Sequence, residues 1–193
     1  MWLKTLNLKR ANEWLTTKFE YLISSGITLE VQAISKPSYP LVENSGKNLL
    51  KLYMSDIGLL TGILYHNDVL PIMNDKCGVN LGSVYENVVA QELKAHGFKL
   101  YYYDNKKNGE VDFLIDSVDL MSALPIEVKS GKDYYIHTAL NNLLKVDEYK
   151  ITNGIVFSNE EKVYNNGNVI YMPIYYVMFL RSSAFDNSEF VYI

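Results

Sequence analysis

The chain is poor in several things that would each announce a function. It has one cysteine, Cys77, in 193 residues, so no internal disulfide framework holds the fold, and the usage suits a reducing cytoplasm. No run approaches the ~20 apolar residues of a membrane span, and Ile174 to Leu180 is far too short. The first residues scatter charge among apolar side chains, without a signal-peptide layout. The expectation is a cytoplasmic protein with no membrane partner. Excess basic charge is lacking too. A net charge of −4 counts against a dedicated nucleic-acid binder, because neutralising phosphates leaves a basic footprint. Part of that acidity would be carboxylates that a bound cation offsets, and a local basic face can coexist with an acidic total. Gly46-Lys47 is followed by Asn48 and preceded by no matching glycine, so there is no phosphate loop and no ATPase site. His66, His96 and His137 are isolated and lack zinc spacing. His137 reads as a surface or capping residue, with an approach to the functional site as the rival. No nucleophile elbow, Cys–His signature, repeat or low-complexity tract is present.

What remains is an ordinary globular composition, 48% hydrophobic and 21% charged, long enough to bury a real core. Sixteen tyrosines point to half-buried strands and interfaces. The most informative stretch runs from Gly109 to Gly131. Gly109-Glu110-Val111-Asp112-Phe113-Leu114-Ile115-Asp116 and Leu124-Pro125-Ile126-Glu127-Val128-Lys129-Ser130-Gly131 both read as strands. Alternation along a strand predicts Val111, Phe113 and Ile115 on one face, with Ile126 and Val128. Glu110, Asp112, Glu127 and Lys129 would take the other. If the strands pair, Asp112 and Glu127 meet with an ammonium beside them, which suits a hard divalent cation with a positive group next to it.

This pattern resembles the PD-(D/E)XK nuclease superfamily, in which an acid on one strand precedes Asp/Glu-X-Lys on the next. Asp112 matches the first acid, Glu127 the second and Lys129 the lysine; Val111 stands where the superfamily name has proline. Gly82-Ser83-Val84-Tyr85-Glu86-Asn87, Glu110-Val111-Asp112-Phe113 and Ile126-Glu127-Val128-Lys129-Ser130-Gly131 further resemble the uncharacterised C-terminal domain of bacterial and archaeal AAA-type ATPases. Lys51-Leu52-Tyr53-Met54-Ser55-Asp56-Ile57-Gly58-Leu59-Leu60 is similar to the opening segment of that domain. The resemblance implies a metal-dependent deoxyribonuclease whose ATP-binding part is missing from this chain. Asp112, Glu127 and Lys129 would be catalytic, and Glu86, Asp112 and Glu127 would hold Mg²⁺ or Mn²⁺. It favours Glu86 over Glu92 as the helix-borne ligand. Periodicity does not choose between them: six positions apart, they lie roughly 120° apart around the axis. Both being solvated helix glutamates is the bland alternative.

Taken in order, residues 9–25 carry Trp14, Leu15, Phe19, Leu22 and Ile23 at helical spacing, stopped by Gly26. Thr28 to Ile34 alternates as a strand, a turn follows at Asn44-Ser45-Gly46, and Lys51 to Met54 returns. This helix plus hairpin is winged-helix-like, either a DNA-contacting or docking module or a structural spacer. Asp56 to Leu64 reads as a helix capped by Ser55 or Asp56. The irregular stretch 66–80 holds the predicted boundary, giving a winged-helix-like region at 1–68 and a nuclease-like domain at 69–193.

Beyond it, Gly82 to His96 is a helix with Val84, Tyr85, Val88, Val89 and Leu93 on its apolar face. Phe98 to Tyr103 is a strand, and 104–109 a turn whose Lys106 and Lys107 either contact a phosphate backbone or are merely solvated. Lys132, just past the motif, belongs with them as a nucleic-acid contact. A helix over 137–149, a strand at Gly154 to Ser158, a further strand at Val169 to Met172 and a closing helix from Pro173 to Leu180 complete the chain. Phe190 to Ile193 ends it. The fold class is α/β, with a restriction-endonuclease-like mixed-sheet core in the order helix, three strands, helix, strand. The expected partners are DNA, an upstream ATPase domain or partner chain, and further copies of the chain in a homo-oligomer. The alternative function is an inactive nuclease-like fold that binds DNA or assembles with protein, its acids serving structure.

Overall fold

The structure, a computed structural model, describes residues 6–7, 13–45, 49–65 and 81–182, with only the backbone described at 6–7 and 13–15. The predicted helix around Trp14 is α1, Glu13–Ser24, preceded by the two-residue strand β1, Leu6–Asn7. Strands β2, Thr28–Ile34, and β3, Leu49–Met54, form the expected hairpin, with Thr28 opposite Met54. Helix α2 is Ile57–Tyr65, and Asp56 caps it by accepting the Leu59 N–H at 2.8 Å. Helix α3 covers Gly82–Ala95. Three strands follow, β4 Tyr101–Asn105, β5 Gly109–Ser117 and β6 Ser122–Val128. Then come α4, Thr138–Leu144, and the strands β7, Gly154–Ser158, β8, Tyr164–Asn166, and β9, Val169–Pro173. Cys77, His66, the predicted boundary stretch and the closing segment 190–193 lie outside the described residues.

All nine strands of the described residues form one mixed sheet, in the order β1-β3-β2-β4-β5-β6-β7-β9-β8. From α3 onward the elements run helix, three antiparallel strands, helix, and a strand parallel to β6. The N-terminal hairpin is not a separate wing. β2 lies parallel to β4, Gln32 beside Tyr101 and Ile34 beside Tyr103, so elements on both sides of residue 68 share one sheet. Two predicted helices shorten. That over 137–149 is α4 followed by a 3₁₀ turn at Asp147–Tyr149, and the closing helix is a 3₁₀ segment, Ile174–Phe179. Seven residues give α4 too few turns to carry itself; it is held by burying Leu140 and Leu143. Among the described residues no helix is long and apolar enough to cross a membrane.

Two large apolar clusters flank the sheet, and a small third one joins Phe19 of α1 to Leu50 of β3. Val89, Ala90 and Leu93 of α3 pack with Phe113, Ile126 and Val128; Leu140 and Leu143 of α4 pack with Val111, Leu114 and Val156. Val111 therefore does not share a face with Phe113 and Ile115, as alternation predicts. The cause is a bulge: Tyr101 pairs with Leu114 but Tyr103 with Val111, so two steps on β4 stand against three on β5. The extra residue reverses the alternation around Asp112.

Helix α3 is fixed to the hairpin by side chains as well as by packing. Asn87, 2% exposed, accepts the Met54 N–H at 2.8 Å and donates to the Met54 carbonyl at 3.0 Å. Gln91 accepts the Ile57 N–H at 3.0 Å. A helix held at two polar points cannot slide along the sheet without leaving buried backbone groups unpaired.

The β4–β5 turn depends on Gly109. Its φ is +95°, and a Cβ there would lie 3.0 Å from the Ala139 Cβ. Gly109→Ala should destabilise the chain by about 2 kcal/mol from the left-handed backbone alone, with α4 pushed from the turn. Urea denaturation measures this, and an unchanged midpoint would contradict the account.

Candidate active site

The acids of the motif meet where β5 and β6 separate. Their ladder runs from Ser117 opposite Ser122 to Phe113 opposite Ile126 and stops there. Before Phe113, β5 bonds only to β4; the end of β6 bonds to β7. The Val128 N–H, left without a β5 carbonyl, is taken by the Asp112 carboxylate, Oδ2 at 2.9 Å. The strand order thus places an acid side chain in the opening and satisfies a buried donor with it. Lys129 lies one residue beyond β6, with its N–H on the Phe157 carbonyl at 2.8 Å.

Glu127 is 6% exposed. Its Oε1 pairs with Lys129 Nζ at 2.7 Å, while its Oε2 is buried with no hydrogen-bond partner. A desolvated, unpaired carboxylate oxygen is costly, and a hard cation is one group that would satisfy it. Asp112 carries the electrostatic consequence. Burial first, then the like charges of Glu127 and Glu86, push its carboxyl up to about 8, against the opposing pull of Lys51 and the Val128 N–H. Burial alone would lower the Lys129 pKa. The Glu127 carboxylate, with Asp112 and Glu86 behind it, overrides that and holds the ammonium above its usual range.

Glu86, on α3, is the helix carboxylate whose charge bears on Asp112, and it receives a hydrogen bond from Tyr53 Oη at 3.1 Å. Glu92 instead faces its own helix neighbour, His96, at 3.8 Å. Among the described residues no group of three or more His, Cys, Asp or Glu side chains is arranged to hold a metal ion. The fit to a divalent cation therefore rests on Asp112 and Glu127, with Glu86 contributing charge. That number of carboxylates suits Mg²⁺ or Mn²⁺, which keep waters and take substrate oxygens.

Sequence reasoning missed three contributors. Lys51, on β3, is 3% exposed; its Nζ lies 2.7 Å from Glu110 Oε1 and 4.6 Å from the Tyr102 ring centre. Tyr53, two residues on, presents the hydroxyl to Glu86, and burial together with Glu86 and Asp112 drives its pKa well above the usual phenol value. Asn87 anchors the helix. Lys51 and Tyr53 share one strand face by simple alternation, and a lysine at that position of an apolar strand was the readable signal. Lys106 and Lys107 are exposed in the β4–β5 turn and Lys132 is exposed after β6. All three belong to connections at the end of the sheet where the acids lie. His137 is not at the surface; it holds the N-cap position of α4, where its carbonyl accepts the Asn141 N–H at 3.1 Å and its side chain makes no cap bond. It is 4% exposed, with Nε2 2.6 Å from Tyr171 Oη, and Tyr171 belongs to the cluster on the α4 side of the sheet.

Among known protein families, the model described as "Domain of unknown function (DUF4143)" matches residues 81–177, just over half of the 193 residues. No curated protein and no solved structure matches the chain.

Two outcomes follow from the charges. Asp112 is raised in the folded state, so the fold binds a proton that the unfolded chain has already released. Its contribution is complete below about pH 4 and is lost as pH rises through about 8. Metal-free Asp112→Asn should accordingly melt higher than the unaltered chain at pH 8, by roughly 2–4 °C per kcal/mol relieved, with the gap closing at pH 4. A lower melting temperature at pH 8 would contradict this. The second outcome is an asymmetry. Glu110→Ala leaves a buried ammonium unpaired and should cost about 3 kcal/mol, whereas Lys51→Met leaves a half-exposed carboxylate and should cost well under half of that. Chemical denaturation of both variants reads the difference, and equal losses would refute it.

Proposed function

The chain belongs to that family, whose function is unknown, and we propose from the site that it is a divalent-cation-dependent DNA phosphodiesterase with a nuclease-like core. The observation that carries the proposal is the meeting of Asp112, Glu127 and Lys129 at the parting of two strands, with one buried Glu127 oxygen unpartnered. The run of helix, three antiparallel strands, helix and parallel strand supports a restriction-endonuclease-like core.

In this reading Asp112 and Glu127 hold Mg²⁺ or Mn²⁺, with Glu86 adding negative charge from α3. The cation supplies charge compensation on the phosphoryl oxygens and lowers the pKa of a water. Glu127 holds the Lys129 ammonium in place, and Lys129 directs that point charge at the developing negative charge of the phosphoryl group. The Asp112 bond to the Val128 N–H fixes the carboxylate before substrate arrives. Lys106, Lys107 and Lys132 would meet the backbone phosphates flanking the scissile one. The same proposal sets the domain beside an AAA-type ATPase, on its own chain or on a partner chain.

A second reading has a specific observation in its favour. The 2.7 Å Lys129–Glu127 pair and the lack of a three-acid group among the described residues also suit a retained fold, its ion pair structural, that binds DNA or assembles with protein. Supercoiled plasmid with Mn²⁺ separates the two. Wild type should nick it, and Asp112→Ala should lose about a hundredfold or more in rate, since loss even of the groups behind a metal ligand costs ten- to a hundredfold. Equal nicking by both, or none by either across Mg²⁺ and Mn²⁺, would defeat the enzyme. Mn²⁺ should also raise the melting temperature of wild type but not of Glu127→Ala.

A further inference from the structure

The geometry points to β3 as part of the site, with Tyr53 the residue that positions Glu86, so that the carboxylate site is completed from outside the matched segment 81–177. This inference rests on the cation-binding reading above.

Tyr53 is built in rather than draped over the site. It is 8% exposed, with its ring centre 5.4 Å from that of Phe113, the residue after Asp112. Its backbone pairs with Leu29 in the hairpin, and the next residue, Met54, is the one Asn87 grips through both main-chain groups. Glu86 precedes Asn87 on α3. The donor strand and the acceptor helix are thus locked one residue from the Tyr53–Glu86 contact on each side. At such a joint the 3.1 Å hydrogen bond sets the rotation of the Glu86 carboxylate instead of following it.

The choice of a phenol also fits. A lysine at this position would place a second positive charge beside a divalent cation, whereas a neutral hydroxyl orients the Glu86 carboxylate without adding charge of its own. Lys51, on the same strand face, is paired with Glu110. The β3 strand therefore presents one cation that is already matched and one neutral donor aimed at the helix acid. Groups just behind the metal-holding carboxylates, as Glu86 held by Tyr53 would be, typically affect metal affinity tenfold or more.

The test uses the full chain and Mn²⁺ alone, with affinity read by electron paramagnetic resonance and thermal melts run in parallel. Tyr53→Phe should weaken Mn²⁺ binding about tenfold, a loss of about 1.4 kcal/mol, while its melting temperature shifts by only a few degrees. Glu86→Gln should weaken binding at least as much, and the double variant no further than Glu86→Gln alone, because Tyr53 acts through Glu86. Leu52→Ala is the control. Leu52 packs toward Phe19 and Leu50 on the opposite face of β3, so its loss should lower the melting temperature and leave Mn²⁺ affinity unchanged. Wild-type affinity in Tyr53→Phe, additive losses in the double variant, or an equal loss in Leu52→Ala would each overturn the positioning role while leaving the cation site standing. Absence of Mn²⁺ binding by wild type would remove the cation site itself, and this inference with it.

Discussion

The hydrogen bond from the Val128 N–H to the Asp112 carboxylate is the contact on which the site depends. A β-ladder that ends inside a sheet leaves donors in an apolar setting, and each must find an acceptor. Here the acceptor is an ionisable side chain. The same few atoms therefore close the backbone account of β6 and fix the position of the acid. The bulge on β5 contributes to this: by adding a residue it turns the run around Asp112, and Val111 passes to the α4 side while Phe113 stays against α3.

Charge in the opening is arranged unevenly. Two carboxylates, Glu127 and Glu86, bear on a third, Asp112, and the two lysines nearby come from separate parts of the chain. Lys129 follows the motif strand and is bound to Glu127; Lys51 arrives from the hairpin and is bound to Glu110. The compensation is incomplete at Glu127 Oε2 and at Asp112, whose proton is retained far above the ordinary carboxylate range. Unrelieved repulsion of this kind is a common mark of functional positions, where stability is given up for reactivity.

Much of the layout was legible because local signals agreed with the final fold. Thr28–Ile34 and Gly154–Ser158 have the bounds their alternation or apolar run announced, and Gly97, at φ +83°, closes α3 as a glycine after a helix should. The acid-X-Lys spacing brought Asp112, Glu127 and Lys129 to notice together. What stayed hidden is non-local. A bulge arises from the partner strand's register, so the face of Val111 was not readable from β5 alone. The β2–β4 pairing joins residues separated by the whole of α2 and α3, and a hairpin that looks self-contained gives no sign of its third neighbour. The shortness of α4 reflects where its burial ends, since the apolar spacing of 140–146 continues past the last helical turn. The burial of the His137 side chain was hidden for a similar reason: its hydrogen-bond partner, Tyr171, lies two strands from β6.

The Asn87 clamp places its demand on one residue only. Main-chain atoms of residue 54 are present whatever side chain stands there, so that position is free to drift. Position 87 has almost no freedom. Aspartate, although the same size, would keep the acceptor for the Met54 N–H but set its other oxygen against the Met54 carbonyl and repel it; glutamine would overreach by a methylene; serine would fall short of one contact. An interior amide in a helix, often dismissed as a tolerated polar residue, acts here as the reading head that recognises a strand by its backbone alone.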